Sequence, residues 1–367
     1  MNFKKVFSKI SILSVIFLTA CSAGSTEKSD DEKTAKVDVK EALSSKPDGT
    51  KIVLASNNGG TERKDYILPV LKEAGFDVEF VDMGGADATA RVIAEVENPT
   101  INVIWGPTMF NFDDMIKADA LIKWEPTWVS DVARYDRKNG YSYPYEVQPK
   151  FWLANPDVVN EKNAPKTINE LIDSDEFKGK YTIPTQFGGT TNRAIVASIL
   201  GQYLDENGEE GVSQKGWDLM KKFIKNGTKT PDGEDLYVRM MDNTTPIAFD
   251  GASNIVANIK DLDSKPYIMY FENGQPSNNN EIGVVANKDS KVVAESVRLA
   301  NYLGSSEFMA DYASKFGNLV ANESIQDKMD PMSAEMYSNF KEQDLDWSKI
   351  NPLLDKWIAK IELEYAN

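Results

Sequence analysis

The chain has 367 residues, 41 Lys and Arg against 57 Asp and Glu, a formal net charge of −16, no histidine and a single cysteine, Cys21. That charge argues against nucleic acid as a partner and against direct adhesion to anionic membrane surfaces. Without an imidazole or a second thiol, Ser-His-Asp and Cys-His nucleophiles, histidine metal sites and intramolecular disulfides are excluded. No pair of acids stands in a context that marks it as catalytic, so neither enzyme activity nor a cofactor is expected.

The N-terminus reads as a targeting segment. Lys4, Lys5 and Lys9 give a basic start, Ile10 to Leu18 an apolar run too short to span a bilayer, and small residues then lead to the cysteine. Leu18-Thr19-Ala20-Cys21 resembles the lipobox of bacterial lipoproteins, in which the cysteine is acylated and the preceding peptide removed. Such an anchor carries a diacylglyceryl group, and two chains suffice for stable attachment to the outer face of the cell membrane. An ordinary secretory signal followed by an unrelated cysteine is the alternative. Residues 1–20 are thus a signal peptide, and residues 21–50, small, charged and poor in bulky apolar groups, a flexible tether. The same composition also admits a short helix over about 37–44.

Beyond the tether the pattern alternates. Lys51–Ser56 is an apolar strand ended by Asn57-Asn58-Gly59-Gly60, and a helix follows to about Ala74 with Gly75 as its C-terminal stop. Phe76–Met83 alternates apolar and acidic residues as a half-buried strand does. Asp87–Glu97 is a helix stopped by Asn98-Pro99, and Ile101–Trp105 a third strand before Gly106-Pro107. A second series repeats the logic. Tyr181–Pro184 is a strand, Asn192–Tyr203 a helix, Pro246–Phe249 a strand, Ile282–Ala286 a strand and Ala294–Leu303 a helix. Strand-helix alternation implies parallel α/β units, with ligands beyond the carboxyl ends of the strands. The loops to watch are therefore 56–61, 105–108, 186–193 and 250–254.

Gly84-Gly-Ala-Asp-Ala-Thr-Ala-Arg-Val-Ile-Ala-Glu-Val-Glu-Asn-Pro99 followed by Asn102-Val-Ile-Trp-Gly106 resembles the helix-and-strand signature of extracellular solute-binding proteins. Phe177-Lys-Gly-Lys180 and Ile282-Gly-Val-Val-Ala286 fit the same family. The nearest branch includes ferric-iron, thiamine, phosphonate and sugar-phosphate binders. The resemblance implies an α/β chain in the two-lobed periplasmic-binding-protein-like fold (type II), with the ligand in the cleft. It implies residues 51–150 plus about 270–318 in one lobe, and about 151–269 plus 319–367 in the other. It also implies a monomeric receptor whose partners are the permease and ATPase of an ABC importer.

Ferric binders of this family usually place two adjacent tyrosines after the strand matching 246–249. Here that stretch is Asp250-Gly-Ala-Ser253-Asn254. A histidine in the first loop and a glutamate after the third strand are missing too, so no metal site is expected. Tyr141, Tyr143 and Tyr145 either reach the cleft or pack in the hinge. The loops offer other chemistry. Gly188, Gly189, Thr190, Thr191 and Arg193 open a helix whose unpaired N–H groups, hydroxyls and guanidinium suit an anion, although either threonine can also serve as a plain N-cap. Ser56, Asn57, Asn58 and Gly59 are polar and uncharged. Trp105 either stacks on a ligand or packs inside, and Asp250 either pairs with an amine or caps a helix. Ser253 and Asn254 face the cleft if the family geometry holds.

The expectation is a lipid-anchored solute-binding protein for a small polar organic molecule, best matched by one bearing a phosphate or phosphonate. Ferric iron, thiamine and polyamines are alternatives within the same fold. A surface adhesin and a carboxylate-based hydrolase are alternatives of another class.

Overall fold

The computed structural model describes residues 34–231, 233–262 and 265–365. The signal peptide and the expected lipid attachment at Cys21 lie outside these residues. The elements in chain order are α1 (Val39–Ser44), β1 (Ile52–Ser56), α2 (Thr61–Glu73), β2 (Val78–Asp82), α3 (Gly85–Ala94), β3 (Val103–Thr108), α4 (Met109–Lys117) and β4 (Ser142–Glu146). A second series follows with β5 (Lys150–Ala154), α5 (Ile168–Asp173), β6 (Thr182–Ile183), α6 (Thr190–Leu200), β7 (Leu204–Glu209), α7 (Gln214–Asn226), β8 (Thr228–Lys229), α8 (Leu236–Met241), β9 (Ile247–Gly251), α9 (Ala252–Leu262) and β10 (Tyr267–Met269). The chain then returns through β11 (Asn280–Val284), α10 (Ser290–Leu303), α11 (Ser306–Phe316), α12 (Pro331–Asn339) and α13 (Trp347–Glu364).

Two lobes are built on two sheets. The first is five-stranded, in the order β2-β1-β3-β11-β4, and the second three-stranded, β10-β5-β9, with the short β6-β8 pair beside it. β1 pairs in parallel with both β2 and β3, as strand-helix alternation requires, whereas β11 runs antiparallel to β3 and β4. Apolar side chains from both faces of the first sheet make its core, including Ile52, Leu54, Val103 and Ile104, all fully buried. Trp152, Tyr181, Phe223 and Trp357 anchor the second.

The chain passes between the sheets where β4 gives way to β5, at 147–149, and again at 270–279 between β10 and β11. These passages are stitched together: Val147 N donates to Leu319 O at 2.7 Å and Lys150 N to Pro276 O at 2.9 Å. Gln275 N donates to Lys341 O and Gln343 N to Gln275 O, both at 2.8 Å, so the stretch before α13 runs alongside the second passage. Residues 319–321 pair with the first sheet, since Ala321 N donates to Tyr145 O at 3.0 Å and Val320 bridges Glu146. The second-lobe boundary expected at 319 therefore falls too early, because backbone pairing with β4 holds this stretch. α13 belongs with the second sheet, packing on α6 and burying Trp357.

The tether is shorter than its composition suggests. Asp38 caps α1, its Oδ1 accepting from Lys40 N at 3.0 Å and Glu41 N at 3.1 Å, and Ala42 is buried against α10. Arg298 Nε donates to Ala42 O at 3.1 Å, and Glu295 accepts from Asp48 N and Gly49 N. Ala42, the partly buried Val37, Val39 and Leu43 and a few hydrogen bonds dock a segment whose own apolar content could not fold it.

Candidate functional site

A cleft of about 440 Å³ opens between the lobes. The first lobe contributes Asn57, Gly85, Thr108 and Asn111. The second contributes Gly188, Thr190 and Arg193, with Asn351 and Asp355 of α13 closing one side. Two aspects of local folding shape it. β3 does not stop at Trp105 but continues to Thr108, which pairs with Asn280 of β11, and Gly106 within it takes φ +116, a conformation L side chains rarely adopt. A Cβ there would stand 2.1 Å from Asn57 Oδ1, so the absence of a side chain is what lets the first loop lie against the third. Helix starts provide the second aspect. α2, α3 and α6 begin after Gly60, Gly84 and Gly189 with no side-chain cap. By contrast α1, α5, α8, α10, α11, α12 and α13 are capped by an Asp, Thr or Ser side chain. The first N–H groups of a helix have no partner within it, and the positive end of its dipole favours an anion. α3 and α6 present such ends to one cavity from opposite lobes.

Of the residues singled out from sequence, Asn57, Thr190 and Arg193 line this cavity together. Gly189 is the N-cap of α6 and Thr191 its second residue, so neither threonine caps the helix. Arg193 does not point a free fork at the cleft, since its Nη1 pairs with Asp355 Oδ1 at 2.7 Å. Lys117 at the rim is likewise neutralised by Asp114 at 3.3 Å. Ser56 is buried and its Oγ accepts from Asn58 N at 3.0 Å, which closes the first loop into a turn. Gly59 is buried behind it.

Trp105 is fully buried, its ring against Tyr145, Phe308 and Tyr312 with centroids 5.3–5.9 Å away. Its place in the interior of a central strand makes it a packing residue and leaves no face for a ligand. Asp250, Ser253 and Asn254 do not line the cavity. The Asp250 carboxylate is occupied locally, accepting from Tyr237 Oη at 3.0 Å, Asn254 Nδ2 at 3.0 Å and Gly251 N at 2.7 Å. Tyr143 donates its hydroxyl to Trp124 O at 2.5 Å and is a hinge packing residue, while Tyr141 is half-buried. Tyr145 Oη accepts from Asn58 Nδ2 at 2.8 Å, which ties the crossover strand to the first loop.

Several polar groups near the crossover carry no sequence signature. Glu146 is buried at the end of β4, and its carboxylate accepts from Gln148 Nε2 at 2.6 Å, Asn280 Nδ2 at 2.9 Å and Asn318 Nδ2. Desolvation raises its pKa above the usual carboxylate value. Lys150, two residues beyond Gln148, is also buried, and burial lowers its pKa to about 8 against the opposing pull of Glu146 and Asp250. Its ammonium donates to Gln148 O at 2.7 Å. Arg63, in the first turn of α2, donates from Nη1 to Asn58 Oδ1 at 3.0 Å and lies over the rings of Tyr312 and Phe316. Asn351 and Asp355 carry no local signature either, because Asp355 meets Arg193 across 162 residues of chain.

Comparison with known proteins agrees with the two-lobed fold. The profile of the family described as bacterial extracellular solute-binding protein matches residues 66–341. A probable ABC transporter periplasmic-binding protein of Sinorhizobium fredii is 29% identical over 309 residues, covering 83% of this chain and 84% of the relative. Among solved structures, apo ferric ion-binding protein A of Pasteurella haemolytica superposes with a TM-score of 0.71 at 16% identity, over 86% of this chain and 98% of that one. Iron-bound HitA of Pseudomonas aeruginosa gives 0.70 at 14% identity, over 86% of this chain and all of that one. At such identities the structures speak for the fold, two lobes around a cleft, while the profile covers most of the chain: it belongs to the family of bacterial extracellular solute-binding proteins.

Proposed function

We propose that this protein is the solute receptor of an ABC importer and captures a small polar organic molecule bearing a phosphate or phosphonate group. The observation that carries this reading is the pair of uncapped helix ends, α3 from one lobe and α6 from the other, opening on one cavity. An anion there would accept from backbone N–H groups and the Thr190 hydroxyl without needing a formal counter-charge. The cavity is of small-molecule size. Closure of the lobes around the solute would enclose it for delivery to the permease. Attachment to the outer face of the membrane through lipid on Cys21 is part of the proposal and rests on the Leu18–Cys21 sequence. Among the described residues no helix is long and apolar enough to cross a membrane.

Ferric iron is the second reading, because several of the similar folds are described as ferric-ion-binding or iron-bound proteins. Against it, the Asp250 carboxylate and the Tyr143 hydroxyl are engaged within the protein. Calorimetric titration with glucose 6-phosphate, 2-aminoethylphosphonate, thiamine, spermidine and Fe³⁺ separates the readings. Tight binding confined to the phosphorus compounds is expected, and a response to Fe³⁺ alone would overturn the proposal.

A further inference from the structure

The described residues contain seven arginines, and five of them, Arg91, Arg137, Arg193, Arg239 and Arg298, sit within 4 Å of a carboxylate. Arg134 is exposed. Arg63 is different: it is half-buried, yet no carboxylate lies within 4 Å of it among the described residues. Acids outnumber bases in this chain by 57 to 41, so a sheltered arginine without a contact ion pair is unusual here; the buried Glu146 acts on it only at longer range.

Three features surround Arg63. Its guanidinium is held over Tyr312 and Phe316, 5.9 and 5.4 Å from the ring centroids, and steered by Asn58, so its orientation is set before anything binds. It occupies the first turn of α2, where the helix dipole disfavours a cation and where Gly60 supplies no side-chain cap. Both arrangements raise the local positive potential. Glu146, the buried acid of this neighbourhood, already accepts from three side-chain amides. Asn58, which holds Arg63, directly follows the cleft residue Asn57.

We infer that Arg63, rather than Arg193, is the side chain that pairs with the anionic group of the captured solute. The inference rests on the reading of an anionic solute given above, and adds its charged partner and the side of the cleft from which it comes. Arg193, already bound to Asp355, stabilises the second lobe instead.

The test is calorimetry on the full mature chain and its Arg63→Met, Arg63→Lys and Arg193→Met variants. Probes are glucose 6-phosphate, 2-aminoethylphosphonate, citrate and malate, with thiamine, spermidine and Fe³⁺ beside them. Methionine keeps aliphatic length over the two rings, so an unchanged ligand-free melting temperature checks that the fold is intact. Loss of one charge-assisted pair weakens the tightest-bound anion by about tenfold or more in Arg63→Met. Arg63→Lys recovers part of this, and Arg193→Met loses less. Equal affinity in wild type and Arg63→Met overturns the inference and leaves the phosphate reading standing. If the tightest anion is citrate or malate and Arg63→Met loses it, the inference holds and the phosphate reading fails. A wild-type chain that binds none of the four anions overturns both.

Discussion

Lys150 shows at the residue scale what a buried crossover implies. It is 3% exposed and its ammonium has one hydrogen-bond acceptor, so the charged form is poorly solvated and the pKa falls to about 8 from 10.5. The unfolded chain therefore holds its proton more tightly than the folded one. The penalty is full below pH 8 and disappears as pH rises through 8 toward 10.5, so this group makes stability increase with pH across that window. The difference amounts to roughly 3 kcal/mol. Lys150→Met is expected to raise stability at pH 7 in urea unfolding and to flatten the rise between pH 8 and 10.5. A rise that survives the substitution unchanged would show that another group sets it. The residue scale is also where sequence reading met its limit. Asn57, Thr190 and Arg193 are legible because glycine-rich strand-to-helix loops mark them. Arg63, Glu146 and Lys150 follow no spacing rule, since their roles come from neighbours distant in the chain.

Elements were legible to the degree that they obeyed a period. β1, β2 and α2 came out within a residue or two because apolar alternation and a C-terminal glycine bounded them. Gly75 has φ +96, as a helix stop of that kind requires. α3, α6 and α10 start before the positions read from sequence, at Gly85, Thr190 and Ser290, because glycine and small polar residues at a helix start look like loop. The crossover strands carry no period for a different reason. β4 (SYPYE) and β5 (KFWLA) are buried at every position, so neither shows alternation, and β4 carries a proline. α1 was visible only as an alternative, since its helix depends on a docking partner, α10, some 250 residues away. One contact between elements links the lobes across the cleft mouth. Phe110 of α4 meets Trp347 of α13 with centroids 5.0 Å apart, and Asn351 Nδ2 donates to Asp113 Oδ2 at 3.2 Å. That pairing brings α13 to the site although nothing in its sequence announces it.

At the scale of the whole molecule, two features belong together. A cleft flanked by two uncapped helix starts suits capture of an anion, and lipid on Cys21, as proposed, would keep the receptor near its transporter. The anchor has a direct check: cells fed labelled palmitate should label the wild-type chain and not Cys21→Ala, whereas equal labelling would place the lipid elsewhere. The central claim concerns the cargo. Native mass spectrometry of the protein purified from its expressing cells, followed by release and fragmentation of whatever it carries, tests that claim most directly. A bound phosphorus-bearing organic anion at one per chain is the predicted result, and a bound amine or ferric ion in its place would contradict it.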